Sequence, residues 1–206
     1  PTSGGKQFWT DFRCVGDWRV QQNSETGHCR LLDQKNVRQA WGNFDHCQSK
    51  LNQRIQAGDV KLMQGPVVIL IHGLVRSSAS MQTMEKHLQQ QGYSTINFRY
   101  ASSRKRIAEH AVALRSVIDG VGPGVTDIYL VGHSLGNIVA RRYFYDTKNP
   151  VSGTMGDRRI RRMVMLGPPN QGSQAARLFK KSLLFQTFAG VSGSELAADW
   201  EHVKPK

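Results

Sequence analysis

Short apolar runs and helical apolar stripes alternate along the middle of the chain. Residues 67–71 form a continuous apolar run rich in β-branched side chains, which is typical of a strand covered on both faces. Shorter runs at 93–98, 127–131 and 163–166 predict three further strands. Apolar residues at spacings of three and four, clearest over 107–121, predict helices between them. This order predicts an α/β fold with a predominantly parallel sheet and helices on both faces.

Residues 1–64 have a different and more polar pattern. Segments 18–22 and 28–32 flank a turn and predict a short β-hairpin. Asp33 then predicts the N-terminal cap of a helix over the second half of this region. We therefore expect a polar N-terminal extension, made of a hairpin and a helix, that packs on a core formed by residues 65–206.

Composition sets the limits of these predictions. The chain has 206 residues, the size of one domain, and 39% of them are hydrophobic, which is enough for a buried core. The mean hydropathy is −0.45, and no apolar run approaches the ~20 residues that span a bilayer, which excludes a membrane-embedded protein.

The formal net charge is +13, and the excess lies in the middle of the chain. Residues 99–181 hold 15 basic and 5 acidic side chains, a net charge of +10. A field of this sign attracts anionic partners, whereas short basic clusters are also typical of solvated helix faces.

The segment 132–136 reads Gly-His-Ser-Leu-Gly and lies between a predicted strand and a predicted helix. A serine at a sharp strand-to-helix turn needs small neighbours, and Gly132 and Gly136 meet that need. The turn raises the Ser134 hydroxyl above the sheet edge and places the Leu135 amide at a helix N-terminus, where it favours a developing oxyanion. The pattern predicts that Ser134 is a nucleophile.

A second loop is expected at the same edge of the sheet. The first strand runs into Ile-His-Gly-Leu, and the carboxyl ends of parallel strands share one edge. We expect the Leu74 amide to complete an oxyanion hole with the amide that follows the serine. His72, which precedes Gly73, is interpreted as a structural imidazole that fixes this loop, because a base must approach the serine from the opposite side. His133 is interpreted as a space-filling residue of the turn.

These motifs resemble those of α/β-hydrolases of the bacterial lipase and esterase kind. The resemblance covers about residues 66–175 and includes a third motif at 167–173, in which Pro168 and Asn170 stand where Thr and His are usual. It implies hydrolysis of carboxylic esters, including lipid esters, through an acyl-enzyme on Ser134. A histidine would carry the proton and an acid would orient it, with neither a metal nor an organic cofactor.

The resemblance also implies that the acid and the histidine follow the serine, beyond two further strands. Only forty residues follow Leu166, and they contain no two such strand patterns, so we expect an α/β-hydrolase that lacks its C-terminal strands. Asp199 and His202 are the remaining candidates for the relay. The apolar-rich stretch 175–190 is expected to be a lid over an apolar acyl pocket or a helix packed on the body.

The three cysteines leave two alternatives open. His28-Cys29 and His46-Cys47 suggest a zinc site, although adjacent ligands are atypical of one. A disulfide between two of Cys14, Cys29 and Cys47 is favoured instead, with no choice of pairing. Three cysteines and a first residue other than methionine favour an exported or cell-envelope protein.

Two functions are compatible with these observations. The first is a serine hydrolase of carboxylic esters. The second is a non-catalytic module of the same fold that binds an anionic partner or surface through its basic middle. A nucleic-acid partner is not favoured, because the chain has no helix-turn-helix, zinc-finger or RRM signature.

Overall fold

The computed structural model describes residues 3–169 and 190–193. The strands of these residues are β1 (Trp9–Val15), β2 (Trp18–Asn23), β3 (Cys29–Leu32), β4 (Arg38–Gly42), β5 (Gly65–Ile71), β6 (Ser94–Phe98), β7 (Val125–His133) and β8 (Ile160–Leu166). The α-helices are α1 (Phe44–Gln56), α2 (Gln82–Gln90), α3 (Ile107–Asp119) and α4 (Leu135–Asp146), and 3₁₀ helices span Ser3–Phe8 and Ser78–Met81.

A parallel sheet in the order β6–β5–β7–β8 forms the centre of the fold. The register pairs Ile71 at the end of β5 with Phe98 on one side and Gly132 on the other, and it pairs His133 with Leu166. The carboxyl ends of these strands therefore lie at one edge of the sheet. The predicted α/β class with a parallel sheet is confirmed.

Helices cover both faces of this sheet, as predicted. Successive side chains of a strand point to opposite faces. Val67, Ile69 and Ile71 of β5 pack with buried residues of α3 and α4. Val68 and Leu70 pack on the other face, against apolar residues in and just before α2. This two-sided burial explains the continuous apolar run of β5.

An antiparallel sheet in the order β1–β2–β3–β4 forms the N-terminal part of the chain. Strands β2 and β3 pair across the turn where the sequence predicts a hairpin. The apolar face of this sheet, which includes Val20 and Leu31, packs against Cys47 and Leu51 of α1. The N-terminal part thus has an apolar cluster of its own between the sheet and the helix.

The helix of this region begins later than predicted, so the assignment of Asp33 as its cap is wrong. The Asp33 carboxylate accepts the backbone N–H groups of Lys35 and Val37 and stabilises a turn before β4. Helix α1 begins after its own N-cap, Asn43, whose Oδ1 accepts the N–H of His46. Asp and Asn hold turns and cap helices through the same short-range bond, so the residue type alone does not distinguish the two roles.

A buried group of polar side chains joins the two sheets. Asp11 accepts hydrogen bonds from Arg19 Nη1 at 2.6 Å, Gln21 Nε2 at 2.7 Å and the backbone N–H of Arg99 at 2.9 Å. Arg19 also donates to the carbonyl oxygen of Asn97 at 3.2 Å. Asp11 is 0% exposed, so these hydrogen bonds take the place of water around its carboxylate. The bonds fix the N-terminal sheet to the carboxyl end of β6.

The three cysteines are free thiols, and the expected disulfide is therefore wrong. Cys14 lies in the core of the parallel sheet, whereas Cys29 and Cys47 lie in the apolar cluster under the antiparallel sheet. Each fills a buried apolar position, as free cysteine commonly does.

The described residues also provide no ligand set for the zinc site that the two His-Cys pairs suggested. Among residues 3–169 and 190–193, no group of three or more His, Cys, Asp or Glu side chains is placed to hold a metal ion. Within the same residues, no helix has the length and apolar character needed to cross a membrane.

Candidate active site

The turn between β7 and α4 places Ser134 at the carboxyl edge of the parallel sheet. Its backbone has φ 50° and ψ −115°, a combination that residues with a side chain rarely adopt. Such strain persists only where the surrounding structure over-determines the conformation, and it is common at functional sites. The residue is half-buried at this edge.

Close packing at two glycines shows what holds the turn. A β-carbon built on Gly132 would lie 2.6 Å from Oδ1 of Asn137. A β-carbon built on Gly136 would overlap the carbonyl oxygen of Ile71. The packing therefore leaves no room for a side chain at either position, and the turn approaches β5 through its backbone.

Strand β8 fixes the turn from the other side. The Ser134 N–H donates to the carbonyl oxygen of Leu166 at 3.0 Å, and Asn137 Nδ2 donates to the same oxygen at 3.1 Å. The Asn137 N–H donates to the Ser134 carbonyl at 3.0 Å, which closes the first turn of α4. Hydrogen bonds therefore hold both the N–H and the carbonyl group of Ser134.

The loop after β5 lies directly against this turn. A β-carbon built on Gly73 would lie 3.3 Å from Cβ of Ser134 and 2.9 Å from Nδ1 of His133. The half-buried His133 ring occupies the space beside Gly73. The structure therefore brings together the two loops that the sequence analysis assigned to one edge.

The backbone of this loop sets the direction of the Leu74 amide. The Gly73 carbonyl accepts the N–H of Arg76 at 3.3 Å and the Nδ1–H of His72 at 2.9 Å. In a trans peptide the carbonyl and the following N–H point in opposite directions, so the Leu74 N–H points away from both donors. Among the described residues, no backbone hydrogen bond uses this amide.

The second amide belongs to Leu135, the first residue of α4. The first amides of an α-helix have no partner within the helix, and the helix dipole adds positive partial charge there. Leu135 itself is fully buried, which fixes its backbone. The carboxyl edge of the sheet therefore brings together a strained serine, the loop that contains the Leu74 amide and the N-terminus of α4.

His72 is buried, and its ring contacts Tyr100 and the Gly73 carbonyl. It is 1% exposed, its ring stacks on Tyr100 at 4.3 Å between centroids, and its Nδ1–H is used by Gly73. Burial lowers the pKa of His72 to about 4, so the ring is neutral at pH 7. These contacts support the interpretation of His72 as a structural imidazole.

The sequence analysis missed three buried residues behind this loop, Tyr100, His110 and Ser192. Tyr100 follows β6 by two residues at the same sheet edge, and that placement was the one available signal. His110 lies within the apolar stripe of α3, where a histidine is easily taken for a packed core residue. Ser192 belongs to no motif.

The proposed relay residues Asp199 and His202, and the expected lid at 175–190 apart from Gly190, lie outside the described residues. Two other acids that follow the serine are described. Asp146 pairs with Arg142 at 2.7 Å, and Asp157 pairs with Arg159 at 2.6 Å. Both carboxylates are therefore engaged in local ion pairs away from Ser134.

The chain matches no protein-family model and no curated protein sequence. Among solved structures, it is similar to the mature form of the lipase BlEst2 from Bacillus licheniformis, with a TM-score of 0.50 and 19% identity over 64% of this chain and 54% of that chain. The propeptide form of BlEst2 gives a TM-score of 0.49 and 18% identity over 64% and 30% of the respective chains. A monoacylglycerol lipase from Paleococcus ferrophilus gives a TM-score of 0.38 and 22% identity over 57% of this chain and 48% of that chain.

At this identity the similarity to mature BlEst2 concerns the fold alone. The chain spans about half the length of that lipase. The parallel sheet, the helices on both of its faces and the similarity to BlEst2 together show that this chain has an α/β-hydrolase-like fold.

Proposed function

We propose that this protein is a serine hydrolase of carboxylic esters and that Ser134 is its nucleophile. The observation that carries the proposal is the strained backbone of Ser134, with its Cβ 3.3 Å from the position of a β-carbon on Gly73. A loop with an available amide at Leu74 lies beside this serine, as acyl transfer needs.

The reaction would proceed in two steps. Ser134 Oγ attacks the ester carbonyl carbon while a base takes its proton, and the carbonyl oxygen becomes an oxyanion held by the amides of Leu74 and Leu135. The carbon–oxygen bond to the alcohol breaks, and the protonated base returns the proton to the leaving alcohol. Water then attacks the acyl-enzyme by the same route, which releases the acid and restores the serine.

The base is the part of the relay that the described residues do not supply. His72 is committed to Gly73, and Asp199 and His202 are the remaining candidates for the acid and the base within this chain. The apolar side chains of 175–190 favour an ester with an apolar acyl group. Lipid esters and small aliphatic esters both fit this description.

Labelling with a fluorophosphonate tests the nucleophile. The reagent bonds covalently to an activated serine, so the wild-type chain should be labelled and Ser134→Ala should not. Ser77→Ala is the matched control, because Ser77 is an exposed serine on the same side of β5 and its side chain caps nothing. Absence of labelling in the wild type, or equal labelling of Ser134→Ala, contradicts the proposal.

Residues 99–181 favour a second candidate function, binding to an anionic surface, because their basic side chains outnumber their acidic ones. Each of the five carboxylates there lies in an ion pair, as the following contacts show. The pairs are Lys105–Glu109, Arg115–Asp119, Arg161–Asp127, Arg142–Asp146 and Arg159–Asp157. By sequence, the segment nevertheless carries a net charge of +10, from 15 basic and 5 acidic side chains.

Co-sedimentation with vesicles tests this candidate. Vesicles of phosphatidylglycerol should bind the protein, vesicles of phosphatidylcholine should not, and binding should weaken steeply with salt. If Ser134 is not labelled and anionic vesicles still bind, the non-catalytic function replaces the hydrolase. Equal binding to both vesicles would contradict an electrostatic surface.

A further inference from the structure

A continuous set of buried polar and aromatic side chains lies behind the loop at 72–74. It consists of His72, Tyr100, His110 and Ser192, and each is at most 4% exposed. These residues come from the end of β5, the segment after β6, the first turns of α3 and the segment 190–193. Distant parts of the chain therefore meet at one loop of the candidate active site.

Tyr100 contacts this loop in two ways. Its hydroxyl donates to the His72 carbonyl oxygen at 2.6 Å. Its ring stacks on the His72 imidazole, with centroids 4.3 Å apart and planes at 22°. A buried bond of this kind is more demanding than one at the surface, because neither partner has water as an alternative.

The His72 carbonyl also lies close to the first turn of α4. A β-carbon built on Gly136 would lie 2.9 Å from this oxygen. The carbonyl thus accepts the Tyr100 hydroxyl and packs near the backbone of α4. This peptide precedes Gly73, so its position determines where the Leu74 amide lies relative to the serine.

His110 and Ser192 hold Tyr100 in place. The His110 ring packs edge-on against Tyr100 at 4.8 Å between centroids, and its Nε2 lies 3.1 Å from Ser192 Oγ. The Ser192 hydroxyl donates its proton to the Lys105 carbonyl. The Ser192 oxygen must therefore accept a hydrogen bond from His110 Nε2–H, which fixes the tautomer of the ring.

The segment 190–193 is bound closely at this point. The Val191 N–H donates to the Ser103 carbonyl at 3.1 Å. Gly190 has φ 57°, and a β-carbon there would overlap the same carbonyl oxygen. Ser192 is 0% exposed and its proton is engaged, so its contact with His110 is structural and not a second nucleophile–base pair.

We propose that Tyr100 is a positioning residue for the oxyanion hole, acting through the His72 carbonyl and held in turn by His110 and Ser192. This inference depends on the proposed function of Ser134 and extends it to a residue outside every motif. Tyr100 touches neither the serine nor the substrate in this scheme. It sets the distance and direction of the Leu74 amide, on which transition-state stabilisation depends.

Tyr100→Phe removes the hydroxyl and keeps the ring. The readout is the kinetics of fluorophosphonate labelling, separated into the maximal rate constant and the half-saturating concentration. We expect the rate constant to fall about tenfold to a hundredfold, with the half-saturating concentration unchanged, since one complete oxyanion donor is worth about 100-fold or more. Amide hydrogen exchange at residues 72–76 should become faster in the variant.

The matched control is Tyr143→Phe. Tyr143 is 2% exposed, and its hydroxyl accepts the Asp157 N–H at 2.9 Å, before β8 begins at the other end of the sheet. This variant should lose comparable stability and keep the wild-type labelling rate. If Tyr100→Phe fails to fold, Ser192→Ala removes support one step further out and should still slow labelling.

The outcomes separate the two proposals. Labelling of Tyr100→Phe at the wild-type rate, or an equal slowing in Tyr143→Phe, would overturn the role of Tyr100 and leave Ser134 as the nucleophile. If Tyr100→Phe does not fold, labelling of Ser192→Ala at the wild-type rate would likewise overturn the role of Tyr100. A wild type that is not labelled overturns the hydrolase, and the positioning role with it.

Discussion

The α-carbon of Gly136 lies against the carbonyl oxygen of Ile71, so closely that a methyl group on Gly136 would overlap that oxygen. This contact brings the first turn of α4 onto the end of β5. Ile71 is also paired in register with Gly132. The strained serine and the loop after β5 are therefore parts of one packed unit.

Gly136→Ala should disrupt this unit. Alanine is a better helix former than glycine by about 1 kcal/mol, but the added methyl group meets backbone that cannot rotate away. We expect a net loss of about 1–3 kcal/mol in the free energy of unfolding, measured by urea denaturation, together with loss of serine labelling. Gly5→Ala is the control, since a β-carbon there has no neighbour within 4 Å. Unchanged stability and labelling in Gly136→Ala would contradict the packing described above.

The Asp11–Arg19 pair should dominate the attachment of the N-terminal sheet. Asp11→Asn leaves the buried Arg19 guanidinium without its counter-charge, which typically costs about 3–5 kcal/mol. Asp59→Asn removes an exposed pair with Arg54 and should cost less than about 1 kcal/mol. Urea denaturation of both variants measures the difference. Similar losses in the free energy of unfolding would show that the buried pair stabilises the fold no more than the exposed pair does.

Stability should fall as the pH is lowered from 6.5 towards 4. Burial lowers the pKa of His72 and of His110 to about 4, below the 6.5 of an exposed imidazole. Between these values the unfolded chain binds protons that the native protein does not, so acid favours unfolding. Between pH 4 and pH 6.5, each of the two histidines changes the free energy of unfolding by about 1.4 kcal/mol per pH unit.

Urea denaturation at pH 7 and pH 5 measures this dependence. His110→Gln, whose amide can still donate to Ser192, should reduce the slope. His46→Gln, which changes an exposed histidine, is the control variant. A stability that is constant between the two pH values would show that these imidazoles are not buried in the neutral form.

The cysteine thiols should be unreactive in the native protein. Each is at most 1% exposed, and burial raises the pKa of Cys29 to about 11 and that of Cys14 still further. The thiolate is the reactive species, so a disulfide-exchange reagent should modify them only slowly at pH 8. In urea without reductant, all three should react. A count of one thiol would instead reveal a disulfide.

The parallel sheet was predictable because its signals are local. Residues 67–71 are apolar without interruption since both faces of β5 are covered, and the glycines around Ser134 mark a turn that few other residues permit. Both features act within a few positions of the chain. The architecture and the placement of the two loops follow from them.

The N-terminal sheet and the support behind the loop were not predictable in the same way. Strand β1 contains the buried Asp11 and a register shift before Arg13, which interrupt the alternation expected of a strand. Tyr100 and Ser192, far apart in sequence, are brought to the same histidine, His110, only in the folded chain. A pattern read along the chain cannot show a contact that tertiary packing creates.

The Asp11–Arg99 contact also joins two parts of the chain that are made at different times. Its two ends are 88 positions apart, and one of its bonds is made by the Asp11 carboxylate itself. Contacts of such long range slow folding, because the intervening chain must be ordered before they form. During synthesis, the Asp11 carboxylate of β1 therefore gains its full set of partners only after residue 99 has been made, so β1 cannot complete its packing before β6 exists.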